Sequence, residues 1–465
     1  MFSKEEYINR RIALARRFNK GLLLFMGNSE SPMNYADNTY HFRQDSTFLY
    51  YFGINSPNLA AIFDTHTGKT TLFGDEMSID EIVWMGRQKT LLEKAGEVGL
   101  ETVLPSGDLA ERILSAMQTK LHIHYLPPYR AENKIILAQL FSLPVAQVVE
   151  KASIEFIKAV VAQRSIKSPS EIHEIHTAVS TSVDMQMKAM QMAKPGMKES
   201  KIAAALQEMA LSAGGNIAYP VILTVNGHIL HNQYHGNTLK EGDLVLNDSG
   251  AESAMGYAGD LTRTFPAGKT FSAQQKEMYL IVLNSYQSAV KLLKPGVRYL
   301  DVHLEACLQL AEGLKSLGLM KGDLKEAVQQ GAHALFFQCG TGHMMGLDVH
   351  DMEDLGEQYV GYSDELLKNT SQFGLKSLRL GKELQTGYVL TVEPGLYFIP
   401  ELIDQWKEKQ HLSSFINYDI VEKYKSFGGI RVEDDFVISQ NGATLLGKPL
   451  AIEIDDIEQI RSNAF

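Results

Sequence analysis

Leu246-Asn-Asp-Ser-Gly-Ala251, followed by Ala258-Gly-Asp-Leu-Thr-Arg-Thr264, places two carboxylates, Asp248 and Asp260, on extended segments joined by a short glycine-containing turn. The two acids can face each other across that turn. Such a pair also serves as a turn cap or a solvated surface feature, so its meaning depends on what accompanies it. Three other segments accompany it. Gly340-Thr-Gly-His-Met-Met-Gly-Leu-Asp-Val-His-Asp351 sets His343 and His350 among glycines and apolar residues, where imidazoles can be fixed and the backbone can approach closely. Gly340, Gly342 and Gly346 do not make a dinucleotide loop, because neither their spacing nor a βαβ context supports one. Leu390-Thr-Val-Glu-Pro-Gly-Leu-Tyr397 and Gly429-Ile-Arg-Val-Glu-Asp-Asp435 each put a glutamate among strand-forming residues, where a buried carboxylate demands compensation. Arg431 is a ready partner for an acid.

The surrounding chain sets the bounds. At 465 residues it exceeds the usual size of one hydrophobic core, which predicts two domains. A hydrophobic fraction of 45% and a charged fraction of 21% are those of a globular enzyme-like body. A formal charge of -11 argues against nucleic-acid binding, which requires a basic face. Two cysteines, Cys307 and Cys339, are too few for a disulfide framework or a thiolate zinc site and fit a reducing, cytoplasmic location. The first 17 residues interleave charges with isolated apolar residues, unlike a signal peptide, and no apolar run is long enough to span a bilayer.

From Gly21 to Pro144, short apolar runs (Leu22–Met26, Leu59–Phe63, Leu121–Leu126) alternate with helical stretches such as Asp108–Thr119, an α/β pattern. Helices are predicted over Ile154–Arg164 and Glu171–Ala193, with Ser165-Ile-Lys-Ser-Pro-Ser170 between them, so the domains are taken as 1–160 and 165–465. The second half reads as α+β. Helices are expected over Glu199–Ala213, Ala273–Leu293 and Val302–Leu317, and strands over Ile217–Val225, Leu244–Asp248, Tyr388–Glu393 and Ile430–Ser439. The last of these alternates apolar and polar residues. Tyr359–Gln385 and Pro400–Phe427, polar and mixed in charge, are expected to be surface insertions.

Together, in order and residue type, the four acid and histidine segments resemble the metal-binding segments of the pita-bread metallopeptidases, and most of all those of aminopeptidase P, with Xaa-Pro dipeptidase (prolidase) close behind. The resemblance covers nearly the whole chain and implies an α/β amino-terminal domain of the creatinase/aminopeptidase P kind followed by an α+β pita-bread catalytic domain. It implies that Asp248, Asp260, His343, Glu393 and Glu433 hold two divalent metal ions. In Ile229-Leu-His-Asn232 and Val349-His-Asp351, His231 and His350 resemble the histidines that contact substrate and the tetrahedral intermediate, and Arg431 resembles the arginine that steadies the acidic site. Phe42-Arg-Gln-Asp-Ser-Thr-Phe48, Tyr51-Phe-Gly-Ile54 and Trp84 resemble the amino-terminal signature, which implies a homodimer or homotetramer and makes Asp37, Arg43 and Trp84 weaker candidates for the substrate mouth.

An oxygen-rich set with one imidazole and no thiolate suits manganese first, with zinc, cobalt and iron as alternatives. Four converging carboxylates raise one another's pKa unless cations neutralise them, and two divalent ions do so formally. A water bridging them becomes hydroxide near neutral pH. The resemblance implies release of the amino-terminal residue from peptides with proline second, and Glu393 is expected to accept a proton from the bridging water as well. A dipeptidase is the alternative, and a non-catalytic binding protein on the same fold is disfavoured by the intact ligands. Cys339 departs from the pattern, standing where relatives usually carry a histidine four residues before His343, and the Asp248–Asp260 spacing is one residue longer than in many relatives.

Overall fold

The apolar run Leu22–Met26 forms the strand around which the amino-terminal half assembles, pairing antiparallel with Ala60–Asp64 and parallel with Ile123–Tyr125. Thr70–Phe73 and Thr102–Leu104 complete a five-stranded mixed sheet on the Ala60–Asp64 side. Successive side chains of a strand point to opposite faces. Leu22 and Leu24 accordingly join Ile62, Ile113 and Leu137 in one core, while Phe25 meets Tyr51, Phe52 and Phe156 on the other face. The computed structural model describes residues 1–465, which divide into two compact units, Met1–Arg164 with Met352–Tyr359, and Ser165–Asp351 with Val360–Phe465.

Part of the amino-terminal signature has a local explanation. Asp45 caps the helix Ser46–Phe52, accepting from the Phe48 amide at 2.8 Å, and Gly53 ends it at φ 62°, where a side chain would be strained. Arg10 and Arg11, both buried, donate to the Tyr50 and Tyr51 carbonyls at that helix end, satisfying acceptors the helix leaves open.

In the second unit Ser168 and Glu171 form a capping box and Pro169 takes the first turn, starting the helix Pro169–Met192. Glu199–Ser212, Ala273–Lys291 and Tyr299–Ser316 are the other long helices. They flank short antiparallel ladders: Leu244–Asp248 between Ile222–Thr224 and Thr262–Pro266, and Asp434–Ser439 between Val389–Val392 and Gly442–Leu445. A bridge from Thr262 to Glu433 connects the two. The candidate aspartates thus lie beside the candidate glutamates.

Two expectations need correction. Ile430–Ser439 is not one strand with a solvent face. Gly429–Arg431 pairs with Gly395–Tyr397 and Asp434–Ser439 pairs with Val389–Val392, so the ladder breaks at Val432–Glu433, opposite Glu393–Pro394. Pro394 has no amide hydrogen to continue the ladder. The break leaves two glutamates facing each other in a buried sheet. Nor is Pro400–Phe427 an irregular surface loop: it forms the helices Pro400–Glu408 and Tyr418–Val421 and buries Ile403, Trp406, Phe415, Ile416 and Val421. Its apolar residues, spaced among charges, were masked by composition. Tyr359–Gln385 is irregular for most of its length, yet buries Leu378, Leu380 and Leu384. No helix is long and apolar enough to cross a membrane.

The carboxy-terminal helix Ile454–Asn463 is anchored by Arg461, which is fully buried and donates to the carbonyls of Met190, Ala193, Pro266, Ala267 and Gly268. Arg461→Ala is therefore expected to cost about 3 kcal/mol, several buried carbonyls losing their partner at once. The measurement is the urea midpoint; a shift below about 0.5 kcal/mol would show that water or repacking satisfies them.

Candidate metal centre

The site begins at two ends of sheet. Asp248 closes the strand Leu244–Asp248 and stands opposite Thr262, while Asp260 precedes the strand Thr262–Pro266. The connection between them is longer than a tight turn and includes the short strand Ala251–Glu252. It folds back through contacts only glycine permits: a Cβ on Gly250 would stand 1.9 Å from the Gly259 carbonyl oxygen.

His343 comes from the glycine-rich loop, held by a bond from its amide to Thr391 Oγ1 at 3.2 Å and one from the Thr391 amide to its carbonyl at 3.1 Å. Gly342 is required there, since a Cβ would meet the Thr391 carbonyl at 2.1 Å. Nδ1 of His343 lies 3.0 Å from the Met344 carbonyl, which can only accept, so Nδ1 carries the hydrogen. Nε2 then points at the acids, 3.4 Å from Asp260 Oδ2 and 3.6 Å from Glu393 Oε1. One potential ligand atom from each of Asp260, His343 and Glu433 lies within 4.8 Å of the other two.

Arg431 closes the opposite side. It donates to Thr262 Oγ1 at 3.1 Å, to the Tyr397 hydroxyl at 2.7 Å and to Asp248 Oδ2, with which it forms a buried ion pair. Thr262 in turn donates to Glu433 Oε2 at 2.6 Å, and the Tyr219 hydroxyl donates to Asp260 Oδ1. His350 packs edge-on against His343, ring centroids 4.4 Å apart, and the adjacent Asp351 is fixed by a buried ion pair with Lys167 at 2.7 Å.

Eight of the residues singled out from the sequence, His231, Asp248, Asp260, His343, His350, Glu393, Arg431 and Glu433, line one cavity of about 250 Å³. Tyr219, Cys339, Ser377 and Arg379 line it too. Sequence reasoning passed over Tyr219, Thr262, Tyr397 and Arg379. Thr262 and Tyr397 lay inside quoted segments without a role, while Tyr219 and Arg379 lay outside them, and only the fold turns all four inward. Asp435 lay inside a quoted segment without a role, and its Oδ2 accepts the Asp260 amide at 3.0 Å. Asp37, Arg43 and Trp84 belong to the amino-terminal unit, where Trp84 is 85% exposed.

Electrostatics describe a site built around a missing positive charge. Burial, offset in part by Arg431, raises Asp248, and burial pushes Glu393 up to about 7 despite His343 and Arg431. Burial and then the neighbouring Asp260, Glu393 and Asp248 hold Glu433 well above the carboxylate range. Asp260 goes the other way: burial opposes its ionisation, but the bonds from His343 and Tyr219 outweigh that and lower it. His343 is raised, because Asp260 and Glu393 overcome the desolvation of its charged form. A cation held by these side chains would take over from the proton they favour on Nε2. Asp248 Oδ1 decides the fit: it is buried and accepts no hydrogen bond, which is costly for a carboxylate oxygen and suited to a metal ligand.

The sequence profile of metallopeptidase family M24 matches residues 173–440, and that of the aminopeptidase P amino-terminal domain matches residues 7–124. The chain belongs to metallopeptidase family M24. Among M24 relatives, the Homo sapiens Xaa-Pro dipeptidase is 29% identical over 444 residues, covering 91% of this chain and 85% of that protein. The Escherichia coli (strain K12) Xaa-Pro aminopeptidase is 29% identical over 475 residues, covering 97% of both. In structure, a variant of Escherichia coli aminopeptidase P in complex with substrate superposes with a TM-score of 0.80 at 27% identity, covering 100% of this chain and 99% of that one. The same enzyme has been solved zinc-substituted with product. Fold and family are therefore those of aminopeptidase P, and this M24 chain is a metal-dependent peptidase.

Proposed function

We propose that this M24 enzyme is an Xaa-Pro exopeptidase of the aminopeptidase P type, releasing the residue before proline, with Asp248, Asp260, His343, Glu393 and Glu433 holding two divalent ions. Manganese is the first choice and zinc, cobalt and iron the alternatives, on the oxygen-rich ligand set. The observation that carries the reading is the convergence of these five side chains on one cavity, with a buried Asp248 oxygen lacking any donor. When bound, the ions supply Lewis-acid polarisation of the scissile carbonyl and acidify a water.

The chain's own residues do the rest. Glu393 accepts the proton of the attacking water, a role for which its buried position beside His343 and the other acids places it. His231 and His350, at the cavity wall, donate to the carbonyl oxygen as its charge develops. Arg431 holds Asp248 and Tyr397 in place, so the acids keep their orientation. Activity with manganese on Xaa-Pro, Xaa-Pro-Xaa and a proline-free Xaa-Ala-Xaa peptide tests the reading. No hydrolysis of either proline peptide would sink it.

One observation favours a dipeptidase as the second reading. Arg379, from the Tyr359–Gln385 segment, lines the cavity, and a guanidinium there suits the free carboxylate of a bound Xaa-Pro. Under that reading Arg379→Ala raises KM for Xaa-Pro by about 10- to 100-fold, the loss of a charged hydrogen bond, and leaves the carboxamide Xaa-Pro-NH2 unchanged. Equal effects on acid and amide would exclude carboxylate recognition by Arg379.

A homo-oligomer fits the helix Ile79–Met85, which buries none of its residues and leaves Ile79, Val83, Trp84 and Met85 exposed. A second copy of the chain is the proposed cover, and sedimentation of Trp84→Glu against the parent tests it. The free thiols Cys307 and Cys339 suit a reducing, cytoplasmic location, tested by fractionation.

A further inference from the structure

Beside the acidic site lies a second cluster of metal-ligating side chains that the peptidase chemistry does not use. His303 and Cys307 are one turn apart on the helix Tyr299–Ser316, hence on the same face, and His333 comes from the 3₁₀ turn Ala332–Leu335. All three are buried, His303 and Cys307 completely. One ligand atom from each lies within 4.8 Å of the other two.

Three features distinguish this cluster from ordinary core histidines. His303 Nδ1 is engaged with Thr341 Oγ1 at 2.8 Å, which leaves Nε2 for the cluster. Cys307 Sγ is 3.5 Å from that Nε2 and 3.9 Å from Nδ1, so it lies beside the ring; the shorter distance matches the about 3.5 Å between a nitrogen and a sulfur ligand on one tetrahedral ion, and binding would turn the ring so that Nε2 faces that ion. His333 makes no hydrogen bond through either ring nitrogen, although the ring is buried. The Val328 carbonyl approaches it without completing one. A buried imidazole whose one neighbouring acceptor is a poorly aligned backbone carbonyl calls for an explanation.

We propose that His303, Cys307 and His333 bind one thiophilic d10 cation, Cu⁺ or Zn²⁺, in a closed site separate from the acidic centre. One cysteine suffices for Cu⁺, which accepts three ligands, because two imidazoles complete that set; Zn²⁺ would need a fourth ligand, a water or a nearby oxygen. Binding breaks the Cys307 S–H bond, forms a sulfur–metal bond and releases the proton to solvent. With the imidazoles neutral, the thiolate then balances Cu⁺ fully and leaves Zn²⁺ with one buried positive charge, so the charge count favours Cu⁺. The ion would tie the helix to the 3₁₀ turn. Through His303 it would also steady Thr341, whose carbonyl accepts from the Glu393 amide at 2.7 Å and from the Tyr299 hydroxyl at 3.1 Å.

The full chain is expressed in parallel with added copper or zinc and dialysed against a chelator that empties the open acidic centre. The parent and Cys339→Ser should retain about one equivalent of one of these metals per chain, and Cys307→Ser and His333→Gln none. X-ray absorption of the parent and Cys339→Ser should show one sulfur neighbour at about 2.3 Å, a readout independent of how the other variants fold. The proposal is overturned if the parent retains neither metal, if Cys307→Ser retains as much as the parent, or if the bound metal has no sulfur neighbour.

Discussion

Alanine at Glu393 abolishes peptide hydrolysis: kcat on an Xaa-Pro substrate is expected to fall by about 10³-fold or more. The residue has two assignments, metal ligand and proton acceptor, and removal of a general base alone costs about 10²- to 10⁴-fold. Its setting supports both. Its amide is fixed by the Thr341 carbonyl at 2.7 Å, its Oε1 lies 3.6 Å from His343 Nε2, and it lines the cavity beside the other acids. Glu393→Gln, which keeps the shape and one oxygen, separates the two roles: metal content should recover more than turnover. A near-normal rate in Glu393→Ala at full metal occupancy would show that another group takes the proton.

Metal removal is expected to eliminate activity and to destabilise the protein in a pH-dependent way. Glu393 is raised from 4.5 to about 7, which corresponds to about 3 kcal/mol against its ionisation in the folded, metal-free chain. A group with a raised folded pKa contributes stability that is complete below its unfolded pKa and is lost as pH rises through the folded value. The metal-free protein should therefore lose stability between about pH 4.5 and about pH 7 through Glu393. Asp248 and Glu433, also raised, act in the same sense, while Asp260, held low, contributes in the opposite sense. Divalent ions replace the shared protons, so the gap in Tm between manganese-loaded and chelated protein should widen with pH over that window. Loading at about pH 6 should release more protons than loading at about pH 8, measured calorimetrically in buffers of different ionisation enthalpy. A pH-independent Tm gap with no proton release would show that the carboxylates are already ionised without metal.

Most of the site was legible because its chemistry is carried by residue types in fixed local order. Asp248, Asp260, His343, Glu393 and Glu433 sit in short segments whose neighbours are dictated by backbone needs: Gly342 by the close approach of the Thr391 carbonyl, Gly250 by that of Gly259, Pro394 by the ladder break. The long helix expected from Glu171 was legible, although its start is two residues earlier, at Pro169, behind the Ser168 cap. Pro400–Phe427 was misread because its buried residues are diluted by charges that all point outward, and Ile430–Ser439 because alternation does not reveal a change of partner strand.

By itself, then, the sequence pointed to the candidate ligand residues that line one cavity, to the main helices and to the two-part organisation, since each rests on local patterns of burial, capping and side-chain chemistry. Only the tertiary structure decided which further groups turn toward the acids. Tyr219 on Asp260, Thr262 on Glu433, Arg379 at the cavity wall and the meeting of His333 with His303 and Cys307 depend on contacts between segments distant in the chain. Such contacts are fixed by packing and leave no local periodicity to read.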